Sequence, residues 1–252
     1  MIPIKTGAEI DGMRVACQIS AEILAEVAAA VRPGMTTGDL DAFAAERMRA
    51  RGVQSAFLGY AGFPGATCIS LNDEVVHGIP GNRVINAGDL VSVDLGVTAE
   101  GFIGDNATTV CVGEVDEESA RLVAVCEAAL AAGVDAARAG NRVGDIGHAV
   151  QTVTEAAGFS VVRDFCGHGV GRKLHEDPQI PNFGTPGKGP ELKPGMTLAI
   201  EPMINQGTFR VEILANGWTV RTRDRKRSAH CEHTVLVAPK GPAEILTCAE
   251  KK

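Results

Sequence analysis

Two alanine-rich stretches with apolar residues at helical spacing, roughly Ala8 to Val31 and Glu117 to Ala137, predict long amphipathic helices in the two halves of the chain. Each runs into a Gly-bearing turn, Arg32-Pro33-Gly34 and Arg138-Ala139-Gly140, after which helical spacing resumes for a second helix. Later in each half the pattern shortens to β-branched, apolar runs. Leu90 to Val97, Phe102 to Val112, Thr197 to Ile200 and Cys231 to Val237 read as strands. The residues Thr98-Ala99-Glu100-Gly101 between the first two runs predict a hairpin.

The patterns repeat. Arg32-Pro33-Gly34-Met35-Thr36-Thr37-Gly38-Asp39-Leu40 lines up with Arg138-Ala139-Gly140-Asn141-Arg142-Val143-Gly144-Asp145-Ile146 at an offset of 106, and Gly52 falls on Gly158 at the same offset. His77-Gly78-Ile79-Pro80 matches His175-Glu176-Asp177-Pro178 at 98, and AGDLVSVD ending at Asp94 matches PGMTLAIE ending at Glu201 at 107. Three pieces in one order read as a duplicated αβ unit, about 8–112 and 117–237, inside a single domain spanning 1–252. Such halves predict an α+β fold in which helices cover one face of antiparallel hairpins joined across a pseudo-two-fold axis, with the axis near the matching carboxylates.

Composition narrows the class of molecule. With 45% hydrophobic and 22% charged residues, the 252-residue chain is too apolar for disorder and long enough for a large core. A formal net charge of −7 argues against a protein that coats DNA, RNA or anionic membrane through its overall field. The one basic cluster, Arg221, Arg223, Arg225, Lys226 and Arg227 around Asp224, reads as a solvated hairpin in preference to a docking patch for ribosomal RNA. Seven cysteines at 17, 68, 111, 126, 166, 231 and 248 include no Cys-x-x-Cys pair, which suggests reduced thiols in a cytoplasm. No signal peptide and no run of ~20 apolar residues is present, and no heptad pattern asks for a partner, so a monomer is expected.

The chemistry lies in acids placed where acids are costly. A hairpin centred between Ala99 and Glu100 puts Asp94 directly opposite Asp105, with Cβ atoms about 4.5 to 5.5 Å apart among valines and leucine. Such a pair needs a shared proton or a bound cation, unless the register is shifted by a residue and one aspartate faces solvent. Glu201 at the end of Thr197–Ile200, Glu232 before His233-Thr234-Val235-Leu236, and His168 in Cys166-Gly167-His168-Gly169-Val170-Gly171 add to this set. The glycines around His168 are a weak nucleotide signal and equally allow a close backbone approach to a metal.

In that order, Asp94, Asp105, His168, Glu201 and Glu232 resemble the methionine aminopeptidase family of the pita-bread fold. The resemblance extends from about Thr6 to Leu246 through NDEVVHGIP, GHGVG, LHEDPQIPN, LKPGMTLAIEPM, WTVRTRD and SAHCEHTVLV. It implies two adjacent divalent ions (manganese, iron, cobalt or zinc), with Asp105 and Glu232 bridging, Asp94 on one ion and His168 with Glu201 on the other. Four carboxylates at about −4 against two ions at +4 leave the cluster near neutral.

The resemblance further implies that a hydroxide between the ions attacks the first peptide bond, releasing the initiator methionine of nascent chains. Glu201 would accept and relay the proton, His175 would bond the developing oxyanion, and His77 would contact the leaving amide. The free amine would lie by the Asp94 ion. Tyr60, Phe63, Cys68, Leu174 and Trp218 would line the methionine pocket, with Phe63 and Leu174 standing where many relatives carry tyrosine and phenylalanine. His148, His230 and His233 read as structural imidazoles.

A small second residue is expected in substrates, so with Ile2 this chain should keep its own Met1. The 31-residue spacing from Glu201 to Glu232 leaves no room for the insertion of type II relatives, and the resemblance is to type I. Two rival functions exist within the fold. Proline-specific peptidases usually add an N-terminal domain, and non-catalytic binders of nascent chains or RNA commonly lose metal ligands.

Overall fold

The computed structural model describes residues 2–249, so the expectation about Met1 lies outside the described residues. Four helices occupy the predicted places: α1 (Gly7–Ala30), α2 (Thr37–Ala50), α3 (Glu117–Ala136) and α4 (Val143–Ala156). Helices α2 and α4 begin 106 residues apart and start by one device, in which Asp39 accepts the Thr36 N–H at 2.8 Å and Asp145 accepts the Arg142 N–H at 2.7 Å. Just before each helix the same kind of isolated bridge ties the chain down, Thr36 to Val84 and Arg142 to Glu191.

The main sheet has nine strands, and every pairing in it is antiparallel. Its central order runs Leu90–Ala99, Phe102–Cys111, Glu232–Leu236, Thr197–Ile200, Cys166–Gly169 and Glu176–Pro181. The two halves of the chain therefore meet where Phe102–Cys111 pairs with Glu232–Leu236. Strand alternation then sorts the side chains. Asn106 and His233, opposite each other, bond Ser20 of α1 (2.7 Å) and Thr247 (2.9 Å), while their neighbours Asp105 and Glu232 line the cleft on the other side.

Helix α1 lies so close to this sheet that a Cβ on Gly104 would stand 2.4 Å from the Ala16 carbonyl oxygen, which explains a glycine inside an otherwise branched strand. Leu24, Val27, Leu40 and Ala44 of the first helix pair pack with Val91, Val93 and Leu95. Leu122, Cys126, Val143, Ile146 and Val150 of the second pair pack with Leu198 and Ile200. Among the described residues no helix is long and apolar enough to cross a membrane.

Two expectations are corrected. The hairpin turn is the pair Glu100-Gly101, both at positive φ (52° and 76°), with Ala99 facing Phe102, so its centre lies between Glu100 and Gly101. Asp94 consequently faces Ala107 and Asp105 faces Gly96, which makes the aspartates diagonal and not directly opposed. The basic cluster, too, is not a hairpin, because Val220–Thr222 and Ser228–His230 belong to different three-stranded sheets. Three of its five cations meet acids: Arg221 pairs with Glu212 (2.6 Å), Arg225 with Asp73 (2.5 Å) and Arg227 with Asp116 (3.4 Å).

Candidate metal centre

Five neighbouring positions across the main sheet each contribute one group: Asp94, Asp105, Glu232, Glu201 just past Ile200, and His168. The rows of opposed residues show how they fit. One row runs Cys68, Asp94, Ala107, Glu232, so an alanine separates two acids. In the next, Gly96 faces Asp105, and Ala199 lies between Thr234 and His168. Alternating a small residue with a long polar one leaves room for the carboxylates to lean inward over the sheet.

The side chains that converge have too few partners among themselves. Asp105, His168 and Glu232 offer ligand atoms that all lie within 4.8 Å of one another. His168 Nε2 is 3.3 Å from Glu201 Oε1 and 3.8 Å from Asp105 Oδ2. Yet Asp94 Oδ1, Asp105 Oδ1 and Glu232 Oε1 are buried with no hydrogen-bond donor. An unmatched buried carboxylate oxygen is strongly unfavourable, and three around one point call for a cation.

The protonation pattern agrees. Burial is the first cause that drives up the carboxyls of Asp94, Glu201 and Glu232, with mutual repulsion adding to it, and burial lifts Asp105 to about 7. His168 is pushed down to about 3 by burial and then by neighbouring His175. It donates its Nδ1 proton to the Gly169 carbonyl at 2.9 Å, which leaves Nε2 bare and facing the acids. An oxygen-rich set with one bare imidazole fits a divalent transition metal.

An apolar cleft opens over this floor. All twelve expected site residues line it: the five ligand candidates together with Tyr60, Phe63, Cys68, His77, Leu174, His175 and Trp218. Phe63 and Trp218 meet edge to face at 5.1 Å and form one wall. His77 stands in the left-handed region at φ 59°, a strained conformation for a non-glycine residue, and packs edge-on against Phe165 at 5.6 Å. Burial, then His175, lowers its pKa to about 4, and desolvation lowers His175 as well.

His230 and His233 hold structural bonds to the Pro202 carbonyl (3.1 Å) and Thr247 (2.9 Å), and His148 lies outside the cleft lining. Sequence reasoning missed Phe57, Val76, Phe165, Cys166 and Met203 in the lining. Cys166 was within reach, since it lies two residues before His168 on one strand and so shares its face. The others carry no local signal.

Comparison with known proteins follows the same line. The model of metallopeptidase family M24 matches residues 11–239. The chain is similar to a methionine aminopeptidase of Clostridium perfringens, at 50% identity over 98% of this chain and 99% of that one. It is also similar to the crystal structure of a methionine aminopeptidase from Thermotoga maritima, with a TM-score of 0.96 and 48% identity, covering 99% of this chain and 100% of that one. A prolidase from Pyrococcus furiosus has the same fold at a TM-score of 0.79 and 24% identity; the match covers 98% of this chain but 66% of the prolidase.

Proposed function

The chain belongs to metallopeptidase family M24, and on that premise we propose that it removes the initiator methionine from nascent polypeptides, using two divalent ions held by Asp94, Asp105, His168, Glu201 and Glu232. The observation that carries this is the set of three donorless carboxylate oxygens and one bare imidazole nitrogen on the floor of an apolar cleft. Asp105 and Glu232, both central and both nearly inaccessible at 3% exposure, would hold the ions from the middle of the cluster. Ions bound there would supply Lewis acidity and the positive charge that the carboxylates lack.

The remaining steps belong to the protein's own side chains. Glu201 is half-buried, its carboxyl is raised, and it lies beside His168, so it can take up a proton from the attacking water and pass it toward the leaving amine. His175, at the cleft mouth 4.3 Å ring to ring from His168, is placed to donate to the carbonyl oxygen as negative charge develops there. His77 covers the leaving side and contacts the amide. The Asp94 end receives the free amine, which restricts cleavage to a chain end.

Tyr60, Phe63, Cys68, Leu174 and Trp218 form the methionine pocket. Next to His77, Phe165 packs against the buried group of Val76 and Met203, and this wall restricts the second residue of the substrate to a small side chain. We read residues 1–252 as one catalytic domain working as a monomer in the cytoplasm and meeting chains transiently at the ribosome; seven unpaired cysteines support a reducing compartment.

The discriminating assay uses metal-supplemented protein with Met-Gly-X and X-Pro peptides. Methionine release from Met-Gly-X should exceed cleavage of any X-Pro peptide at least about a hundredfold. Equal rates would move the assignment to the proline-specific branch. The pocket wall has its own test, in which Trp218→Leu raises KM for methionyl peptides about tenfold while kcat stays within about threefold, because the indole contacts the substrate side chain in ground and transition states alike. A fall confined to kcat would remove Trp218 from the pocket.

A further inference from the structure

His168 and His175 face one cleft with their rings 4.3 Å apart and nearly perpendicular, and their hydrogen bonds place the ring protons at opposite nitrogens. For His168 the partner of Nδ1 is a carbonyl oxygen, which can only accept, so Nδ1 carries the proton and Nε2 is a free lone pair. His175 Nδ1 instead lies 2.6 Å from the phenolic oxygen of Tyr60. A phenol can donate or accept. A phenolic O–H is far more acidic than the N–H of a neutral imidazole, so the favoured bond is O–H donating to Nδ1.

That bond has a consequence at the far side of the ring. A neutral imidazole has one proton, and with Nδ1 accepting, the proton sits on Nε2. Were it on Nδ1, the Nε2 lone pair would oppose the lone pairs of a substrate carbonyl. We propose that Tyr60 is a positioning residue whose hydroxyl locks His175 in the Nε2–H tautomer, the form able to donate to the oxygen of the bond being cleaved. The assignment rests on the peptidase reading above and gives Tyr60 a task beyond lining the methionine pocket.

The placement suits the task. Tyr60 sits in a tight turn in which the Tyr60 N–H is bonded to the Phe57 carbonyl and the Phe63 N–H to the Tyr60 carbonyl, each at 2.9 Å. One short loop thus delivers both the phenol to His175 and the Phe63 ring to the pocket wall. The phenol and imidazole rings are also in contact, with centroids 5.2 Å apart.

Two-bond nitrogen–proton NMR correlation on the full chain, ¹⁵N-labelled and loaded with zinc, reads the tautomer directly, with His175 assigned by its loss in His175→Gln. The parent should show a protonated Nε2 and an unprotonated, hydrogen-bonded Nδ1. In Tyr60→Phe, which keeps the ring, the His175 nitrogens should move toward the average of two tautomers. Steady-state kinetics on a Met-Gly peptide should then show kcat lower by about tenfold, with KM within about twofold and zinc content unchanged. A parent with Nδ1 protonated, or a Tyr60→Phe enzyme with unaltered kcat, overturns the proposal. Absence of methionine release by the parent would overturn the peptidase reading instead, while the spectrum still reports on the Tyr60 bond.

Discussion

Glu232→Gln should lower kcat/KM for methionyl peptides by at least about a thousandfold, corresponding to about 4 kcal/mol of transition-state stabilisation, and should lower the content of bound metal. Glutamine keeps the size and the sheet position of Glu232, so the strand and its pairing to Ala107 survive. What changes is charge. An uncharged amide is a weaker ligand for a cation than a carboxylate, and the cluster loses one negative charge. The substitution also relieves repulsion among four clustered acids, so the metal-free variant should be at least as stable as the metal-free parent. Metal analysis, calorimetry and steady-state kinetics on one preparation check all three. Full turnover by Glu232→Gln would remove this carboxylate from the metal centre.

The acids of this centre were legible in the sequence because a carboxylate within an apolar, β-branched run has few explanations. Asp94, Asp105, Glu201 and Glu232 each stood in such a run, and all four line one cleft. Their relative positions were less legible. Reading Thr98 to Gly101 as the turn overlooked that Glu100 adopts a left-handed backbone beside Gly101, and the centre moved by one residue. That shift replaces a direct Asp94–Asp105 contact by the pairs Asp94–Ala107 and Asp105–Gly96, so the small residues act as spacers between ligands. No local pattern marks a glycine or alanine as a spacer. It acquires that role only when Glu232, 125 residues further along from Ala107, pairs across from it. Phe165 and Met203 were missed for the same reason, since their place in the wall depends on contacts between distant segments. The helices, in contrast, were marked by local spacing and the Gly-bearing turns, and the observed ends of α1 and α3 lie within a residue of those expected.

After exhaustive treatment with a chelator, the protein should lose stability as pH rises from about 6.5 to about 8. Asp94, Asp105, Glu201 and Glu232 have folded-state pKa values above those of ordinary carboxyls, the first cause in each case being burial. Wherever the fold holds protons that the unfolded chain has released, stability declines with pH, by about 1.4 kcal/mol per pH unit for each such proton. Buried histidines act in the opposite sense. His77 and His230, each lowered to about 4, and His168, lowered to about 3, leave the fold with fewer protons than the unfolded chain, so they favour folding increasingly as pH climbs toward ~6.5. The two sets oppose each other below that pH. Above it the unfolded imidazoles lose their remaining charge within about one unit, while Asp105 at about 7 still releases its proton and the other three carboxyls, raised by burial and mutual repulsion, act in the same direction. Each proton that the fold still holds across those 1.5 units costs about 2 kcal/mol, or roughly 5 °C in Tm for a chain of this size. Metal-loaded protein should show little of this slope, because cations at the cluster keep its carboxylates ionised at both pH values, and the stabilisation gained on adding metal should grow with pH. Scanning calorimetry of chelated and reloaded samples at pH 6.5 and 8 decides the matter: a chelated protein whose Tm stays level or rises over that interval would mean that the buried acids do not share one low-dielectric site.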